Sequence, residues 1–203
     1  ESRESARAGV ALDDHVAAVV AALRAHAGRS VLVGHSGAGP VVYGATDRAP
    51  ELVSRAVYVD SGPLPEGAAV APDLDPAVTE VPLPSWEELA ADGSSVEGLS
   101  PADLEEFRRR AVPHPAGPAR EPLQLGDPRR RDVPVTVVTS SFRPADVRRF
   151  VAAGSPYFAE VGALDVELVD LPTGHWPMWS RPDDLAAVLL EAGRRHGRDG
   201  RVG

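Results

Sequence analysis

One serine of the chain lies in a turn whose composition could make it a nucleophile. Ser36 stands in the glycine-rich sequence GHSGAG at residues 34–39, between a short β-branched run and an amphipathic pattern. Gly34 and Ala38, two positions before and after the serine, are small enough for a strand and a helix to meet there in a sharp turn. Such a turn points the N–H of Gly37 toward the start of the helix, where it can stabilise an oxyanion. A glycine-rich helix cap with an incidental serine is the alternative interpretation.

A serine hydroxyl needs a base to become a nucleophile, and the chain has six histidines. His175 directly follows the last predicted strand, so we expect it at the same carboxyl edge of a sheet as Ser36. His114 lies between two prolines and is predicted to line a pocket. His35 is next to the serine, but its side chain should point away from it and pack near the site. The spacing therefore favours His175 as the base.

The elements that must position these residues alternate between strands and helices. Strands are predicted at 30–33, 54–60, 133–139 and 164–170, and helices at 12–27, from 40 onward, at 145–153 and at 182–192. The run at 30–33 is typical of a strand that is buried on both faces. Such alternation predicts an α/β fold with a mostly parallel sheet flanked by helices.

A proline-rich segment interrupts this alternation. Twelve of the 20 prolines lie between residues 62 and 128. Two helices are predicted inside the segment, at 85–91 and 101–111, each beginning at a capping serine. We therefore expect a helical cap at 62–128, inserted into a core formed by 1–61 and 129–203.

Composition and charge exclude several classes of function. The chain has 203 residues, 21 basic and 30 acidic side chains and a formal net charge of −9, which disfavours nucleic acids and anionic membranes as partners. It contains no cysteine and no lysine, which excludes disulfides, thiolate metal sites and lysine Schiff bases. Metal binding is poorly supported, and neither a signal peptide nor a membrane span is predicted. We expect a cytoplasmic protein that acts on a small, neutral molecule.

The serine motif GHSGAG, the downstream sequence TGHWPMWSRPDDLA and the insertion between them resemble an α/β-hydrolase with a small cap. The resemblance runs from about Leu12 to Ala192. It implies that Ser36 is the nucleophile, that His175 is the general base and acid, and that the N–H of Gly37 is one oxyanion donor. It also implies a cap that selects the substrate, and no cofactor.

The acid that should orient His175 has two candidates. Most members of this family carry it just after the strand that follows the cap, where this chain has Arg143, with Asp146 three residues farther on. Other members carry it at the end of the strand after the nucleophile helix, where this chain has Asp60. We favour Asp60 and keep Asp146 as the alternative. Without a catalytic role, Asp60 would simply cap the turn that follows its strand.

Three tryptophans are candidates for the substrate pocket. Trp176 and Trp179 flank the proposed base, and Trp86 lies in the predicted cap. Packing of the core and cap is the simplest role for these rings, but they could also wall an apolar acyl pocket. With His35 and His114 they complete the predicted pocket.

The chain departs from the family before the serine motif. Only 35 residues precede Ser36, which is room for one helix and one strand where the family has several strands. The resemblance thus implies that the N-terminal part of the sheet and half of the oxyanion hole are missing. A strand at 31–33 would then expose an apolar edge, which favours truncation or a homodimer.

These observations predict a serine hydrolase that cleaves a small, largely neutral carboxylic ester or thioester through an acyl-enzyme. An acyltransferase or a lyase could use the same three residues. A truncated, non-catalytic relative that binds a ligand or a partner through the old pocket is the alternative from another class.

Overall fold

The computed structural model describes residues 9–199 of the chain. Its strands are β1 (Ser30–His35), β2 (Val53–Val59), β3 (Glu80–Val81), β4 (His114–Pro115), β5 (Val135–Thr139) and β6 (Val166–Asp170). Four of them form a parallel sheet in the order β1-β2-β5-β6. The predicted α/β architecture with a mostly parallel sheet is confirmed.

Helices flank this sheet and build the insertion. They are α1 (Leu12–Ala25), α2 (Gly39–Arg48), α3 (Trp86–Ala91), α4 (Pro101–Arg110), α5 (Ala116–Arg120), α6 (Pro144–Ala152), α7 (Ala159–Ala163), α8 (Pro177–Ser180) and α9 (Pro182–Asp199). Single 3₁₀ turns lie at Ser36–Ala38, Pro50–Leu52, Pro128–Asp132 and Pro156–Phe158. None of the helices within 9–199 is long and apolar enough to span a membrane.

The two faces of the sheet bury different side chains. Because successive strand residues point to opposite faces, Tyr58 and Val137 pack with α1 and α2, whereas Val57 and Val138 pack with α9. All seven residues of β2 are buried, as expected for a strand covered on both faces. This rigid centre holds the carboxyl ends of the strands in register.

Strand β1 differs from its prediction. It extends to His35 and is only partly buried, with Val33 43% exposed, so the prediction of a strand buried on both faces is wrong. In the described part of the chain β1 forms an edge of the sheet, where the helices cover it less completely than β2. The homodimer predicted from this edge stays a prediction.

The last helix and the segment before β6 also differ from the sequence prediction. Helix α9 continues to Asp199 instead of ending at Ala192. Gly193, which suggests a helix stop, lies inside α9, and a Cβ there would be 3.8 Å from a methyl of Val31. Helix α7 was not predicted. Strand β6 begins two residues later than expected, because Leu164 ends α7 by donating its N–H to the carbonyl oxygen of Glu160.

The insertion at 62–128 lies between β2 and β5. Ser85 and Ser100 cap α3 and α4, and each serine forms a capping box with the acidic residue three positions later. The segment also contains the short antiparallel pair β3–β4. The division of the chain into a core and a cap at these boundaries stays a prediction.

A buried polar network connects α2 to α7. Tyr43 is 1% exposed, and its hydroxyl donates a hydrogen bond to the Glu160 carboxylate, which also accepts one from Arg131 at 3.0 Å. Tyr43→Phe removes one donor from a buried charge and should lower the free energy of unfolding by about 1–3 kcal/mol, measured by urea denaturation.

Tyr58→Phe is the matched control for Tyr43→Phe. The Tyr58 hydroxyl is fully buried and has no hydrogen-bond partner among the described residues. Removing it leaves no other group unpaired, so we expect unchanged or higher stability. Equal losses in both variants would contradict a stabilising role for the Tyr43–Glu160 contact.

Candidate active site

The carboxyl ends of all four parallel strands meet at one edge of the sheet. Ser36 follows β1 directly, Asp60 follows β2, and His175 lies five residues after the end of β6. The register pairs His35 with Val59, and Val59 with Val138, so the residues after these strands are neighbours. Sites in open parallel sheets form at this edge.

Ser36 lies on a sharp turn between β1 and α2. Its φ of 50° is in the left-handed region, which costs a non-glycine residue about 1–3 kcal/mol and is typical of functional sites. The Ser61 hydroxyl donates a 2.6 Å hydrogen bond to the carbonyl oxygen of Ser36 and so fixes the turn. Gly37 follows the serine in the 3₁₀ turn that leads into α2.

Close packing around two positions explains why this turn needs glycine. A Cβ on Gly34 would lie 2.5 Å from a methyl of Val42. A Cβ on Gly39 would lie 2.7 Å from the carbonyl oxygen of Gly62. The restriction at Gly34 was predicted from the sequence, and the one at Gly39 was not. The expected need for a small residue at Ala38 stays a prediction.

Ser36, His175 and Asp60 form a continuous hydrogen-bonded chain. The Nε2 of His175 lies 2.8 Å from the Oγ of Ser36, and the Nδ1 of His175 lies 2.6 Å from Oδ2 of Asp60. A carboxylate only accepts, so Nδ1 carries the proton, and the bare Nε2 of the neutral ring can accept the proton of Ser36. In this arrangement an imidazole can take the proton of a hydroxyl while a carboxylate orients the ring.

Asp60 is held as an ionised carboxylate. Its side chain is 1% exposed, and burial alone would raise its pKa. Hydrogen bonds from His175, from the Ser141 hydroxyl at 2.5 Å and from the N–H groups of Ser140 and Ser141 at 2.9 Å outweigh burial. The pKa of Asp60 is therefore lowered, and its charge is available to stabilise a protonated imidazole.

The alternative acid, Asp146, lies in the first turn of α6. Its carboxylate accepts the N–H of Arg143 at 3.1 Å and pairs with Arg149 at 2.9 Å. These contacts are those of a helix-capping residue. The structure therefore brings Asp60, and not Asp146, to His175.

The backbone of His175 is held from two sides. The Nε2 of His35 lies 2.6 Å from the carbonyl oxygen of His175, and the N–H of His175 donates to the carbonyl of Ser95 in the insertion at 2.7 Å. Gly174 fits between them only without a side chain, because a Cβ there would lie 2.6 Å from two carbonyl oxygens of the insertion. The loop that carries the histidine is thus fixed by β1 and by the insertion.

The neutral ring of His35 donates a hydrogen bond to the backbone of His175. Burial, and then the neighbouring His175, lower the pKa of His35. A carbonyl oxygen can only accept, so Nε2 of His35 is the donor. His35 was predicted to lie in the pocket, but the structure places it against the backbone of His175.

This contact predicts that His35 positions His175. His35→Phe keeps most of the ring volume but loses the donor, and a shift of the base by about 1 Å should lower kcat by about 10²-fold with little change in KM. His35→Gln can restore the donor and should recover most of kcat. Equal losses in the two variants, both folded by circular dichroism, would contradict this role.

The predicted pocket tryptophans form an aromatic cluster between the insertion and the histidine loop. The ring of Phe107 lies 5.7 Å from Trp86, 5.2 Å from Trp176 and 5.5 Å from Trp179. Trp176 also meets the ring of His175 edge-on at 4.8 Å. The cluster joins α3 and α4 to the segment around α8.

His114 lies away from these groups. It is exposed, and its ring meets His15 of α1 at 5.7 Å. Its Nδ1 lies 2.7 Å from the carbonyl oxygen of Pro115. These contacts are those of a surface residue.

A cavity of about 310 Å³ opens beside Ser36. Ser36, Gly37 and the loop after β2 form one wall. The opposite wall comes from the segment between β5 and β6, with the side chains of Phe142, Val147, Tyr157, Phe158 and Val161. The described lining includes none of the five predicted pocket residues. The residues that do form the walls were not predicted from the sequence to belong to a site.

Comparisons with known proteins agree with this fold. A model of the alpha/beta hydrolase family matches residues 2–188. No curated protein shows detectable sequence similarity to the chain. Solved structures do resemble it, at identities at which the likeness shows the fold alone.

Three of these structures illustrate the likeness. An extracellular alpha/beta-hydrolase from a Paenibacillus species, described as homologous in structure and function to tobacco salicylic acid binding protein 2, has a TM-score of 0.70 and 20% identity over 91% of this chain and 81% of its own. The methylesterase MES16 from Arabidopsis gives 0.64 and 19%, over 91% and 78%. Tomato methylketone synthase I in its H243A form gives 0.62 and 15%, over 92% and 79%.

The match of the family model agrees with the strand order, with the sharp turn at Ser36 and with these similar structures. That match covers most of the 203 residues. The chain belongs to the alpha/beta hydrolase family.

Proposed function

We propose that this protein is a serine hydrolase that cleaves a small, largely neutral carboxylic ester or thioester through an acyl-enzyme. The observation that carries the proposal is the hydrogen-bonded chain from Ser36 through His175 to Asp60, at 2.8 and 2.6 Å. Its place on a strained turn at the carboxyl edge of the sheet supports the same function.

The first half of the reaction forms the acyl-enzyme. The Nε2 of His175 takes the proton of Ser36 as its Oγ bonds to the carbonyl carbon, and the carbonyl oxygen becomes an oxyanion facing the N–H of Gly37. The bond to the leaving alcohol or thiol then breaks, and Nε2 gives its proton to that group. Asp60 stays ionised and stabilises the imidazolium formed in between.

Water completes the second half of the reaction. It gives a proton to Nε2 of His175 while its oxygen bonds to the acyl carbon, and the bond to Ser36 breaks as that proton returns to Oγ. The reaction releases a carboxylic acid and restores the free enzyme. Apart from the ester and water, these steps use only side chains and backbone groups of the chain.

Stopped-flow mixing with 4-nitrophenyl acetate tests this proposal. We expect a burst of 4-nitrophenolate equal to the enzyme concentration if deacylation is slower than acylation, and otherwise steady turnover. Rapid acid quenching followed by peptide mass spectrometry should locate an acetyl group on Ser36. An acetyl group on another residue, or a folded protein that shows neither a burst nor steady turnover, would contradict the proposal.

Added nucleophiles separate hydrolysis from its alternatives. A hydrolase gives the free acid as its main product even when an alcohol or amine is present at millimolar concentration. A product that carries the added nucleophile would indicate an acyltransferase instead. Ligand binding without acetylation would indicate a non-catalytic protein.

A further inference from the structure

We propose that the cavity beside Ser36 binds the acyl side of the ester, and that it selects an uncharged, apolar acyl group of roughly ten non-hydrogen atoms. This inference rests on the proposed function and deepens it. It also divides the substrate between two regions of the protein, since the leaving group must lie elsewhere.

Geometry decides which side of the ester the cavity receives. In the tetrahedral intermediate the former carbonyl carbon bears Ser36 Oγ, the oxyanion, the leaving group and the acyl chain. The oxyanion faces the N–H of Gly37, and the leaving oxygen must lie within hydrogen-bond reach of Nε2 of His175. The described lining of the cavity includes Ser36 and Gly37 but not His175. The cavity therefore extends from the fourth substituent, the acyl chain.

Charge decides what kind of acyl group fits. In the described lining Asp60 is the one charged side chain. Both of its carboxylate oxygens are already bonded, to His175 and to the groups of Ser140 and Ser141. An anionic acyl group would be repelled by Asp60, and a cationic one would find no free acceptor there. A neutral group meets neither penalty.

The walls set the size of the acyl group. Val147 and Val161 are buried at 2% and 8% exposure, and the ring of Phe158 is stacked on Phe150 at 5.0 Å. Apolar walls should favour each additional methylene of the chain, with an approximately fourfold gain in kcat/KM. A volume of about 310 Å³ limits this gain, because a water-sized group takes about 30 Å³.

Two substitutions should change the cavity in opposite directions. Val161→Ala removes two methyl groups from the wall. Gly62→Ala adds one, and its Cβ would lie 3.6 Å from a methyl of Val161, an ordinary contact that the fold tolerates. Val188→Ala, in α9 on the other face of the sheet, is the matched control for loss of a valine side chain.

The test measures kcat/KM for 4-nitrophenyl esters from acetate to dodecanoate. The optimal acyl length should increase by about two carbons in Val161→Ala, decrease by about one or two in Gly62→Ala, and stay unchanged in Val188→Ala. With one acyl group and a series of alcohols, the relative rates should be the same in all four proteins. Shifts in the alcohol series, or no shift in the acyl series, would overturn the assignment.

A binding measurement separates this inference from the proposed function. In Ser36→Ala, calorimetric titration with straight-chain primary amides of four to twelve carbons should show affinity that rises with chain length, and Val161→Ala should extend that rise. The matching carboxylates should bind at least tenfold more weakly. Amide binding that depends on chain length, without ester turnover by the wild-type protein, would support the cavity assignment and refute the proposed hydrolase activity. Amide affinity that does not depend on chain length, or tighter binding of the carboxylates, would refute the cavity assignment.

Discussion

Replacing Ser36 with alanine should lower kcat for ester hydrolysis by about 10⁶-fold, and so should replacing His175 with alanine. The two side chains act as one unit, because Oγ is a useful nucleophile only when Nε2, 2.8 Å away, removes its proton. Ser36→Ala combined with His175→Ala should therefore be no worse than either change alone. This non-additivity separates a coupled pair from two independent binding residues.

The measurement is steady-state hydrolysis of 4-nitrophenyl esters by purified, folded variants. His114→Ala is the control, because His114 is exposed at the surface and contacts His15. Its activity should stay within about twofold of the wild-type value. A double variant whose loss equals the product of the single losses would contradict the coupled pair.

Replacing Asp60 with asparagine should lower kcat by about 10⁴-fold. The two N–H groups of Ser140 and Ser141 both donate to Oδ1 of Asp60, so an asparagine would keep its oxygen there and turn its NH₂ group toward His175. Nδ1 of His175 would then accept a hydrogen bond, and the proton would move to Nε2. In that tautomer the histidine cannot take the proton of Ser36.

Asp146→Asn is the matched control for the acid. Asp146 caps α6 through the N–H of Arg143, and asparagine can make the same cap. Its kcat should therefore stay within about twofold of the wild-type value, with a loss of stability below about 1 kcal/mol. A large loss in Asp146→Asn with a small one in Asp60→Asn would show that the acid has been misassigned.

The sheet edge made Ser36 and His175 predictable from the sequence. Each follows a β-branched run directly or within a short loop, and the carboxyl ends of parallel strands lie together whatever the details of packing. Choosing between Asp60 and Asp146 was less certain, because it depends on which strand ends lie side by side. The register pairs Val59 with Val138, which brings Asp60 beside Ser140 and the loop of the histidine.

The cavity walls could not be predicted in the same way. Val147 follows the pattern of an ordinary helix core position, and nothing in that periodicity says whether a buried side faces the sheet or a cavity. Val161 lies in α7, a helix that was not predicted. Trp176 and Trp179 were assigned to the pocket because they flank His175 in the sequence, and Trp86 because it lies in the predicted cap. In the fold Phe107 of the insertion packs against Trp176 and Trp179, so these rings join elements of the fold outside the described lining of the cavity.

The role of His35 could not be predicted from the sequence either. Strand alternation predicts that the side chain before Ser36 points away from it. What it cannot supply is the return of the chain after β6, which places the carbonyl of His175 2.6 Å from His35. Contacts between residues 140 positions apart follow from topology, and local patterns do not encode them.

The central claim, that Ser36 is a nucleophile activated by His175, is tested most directly by intact mass spectrometry after treatment with a fluorophosphonate probe. We predict one adduct per chain on the wild-type protein, no adduct on Ser36→Ala, and labelling slowed by several orders of magnitude on His175→Ala. An unlabelled but folded wild-type protein, or an adduct that persists in Ser36→Ala, would contradict the account.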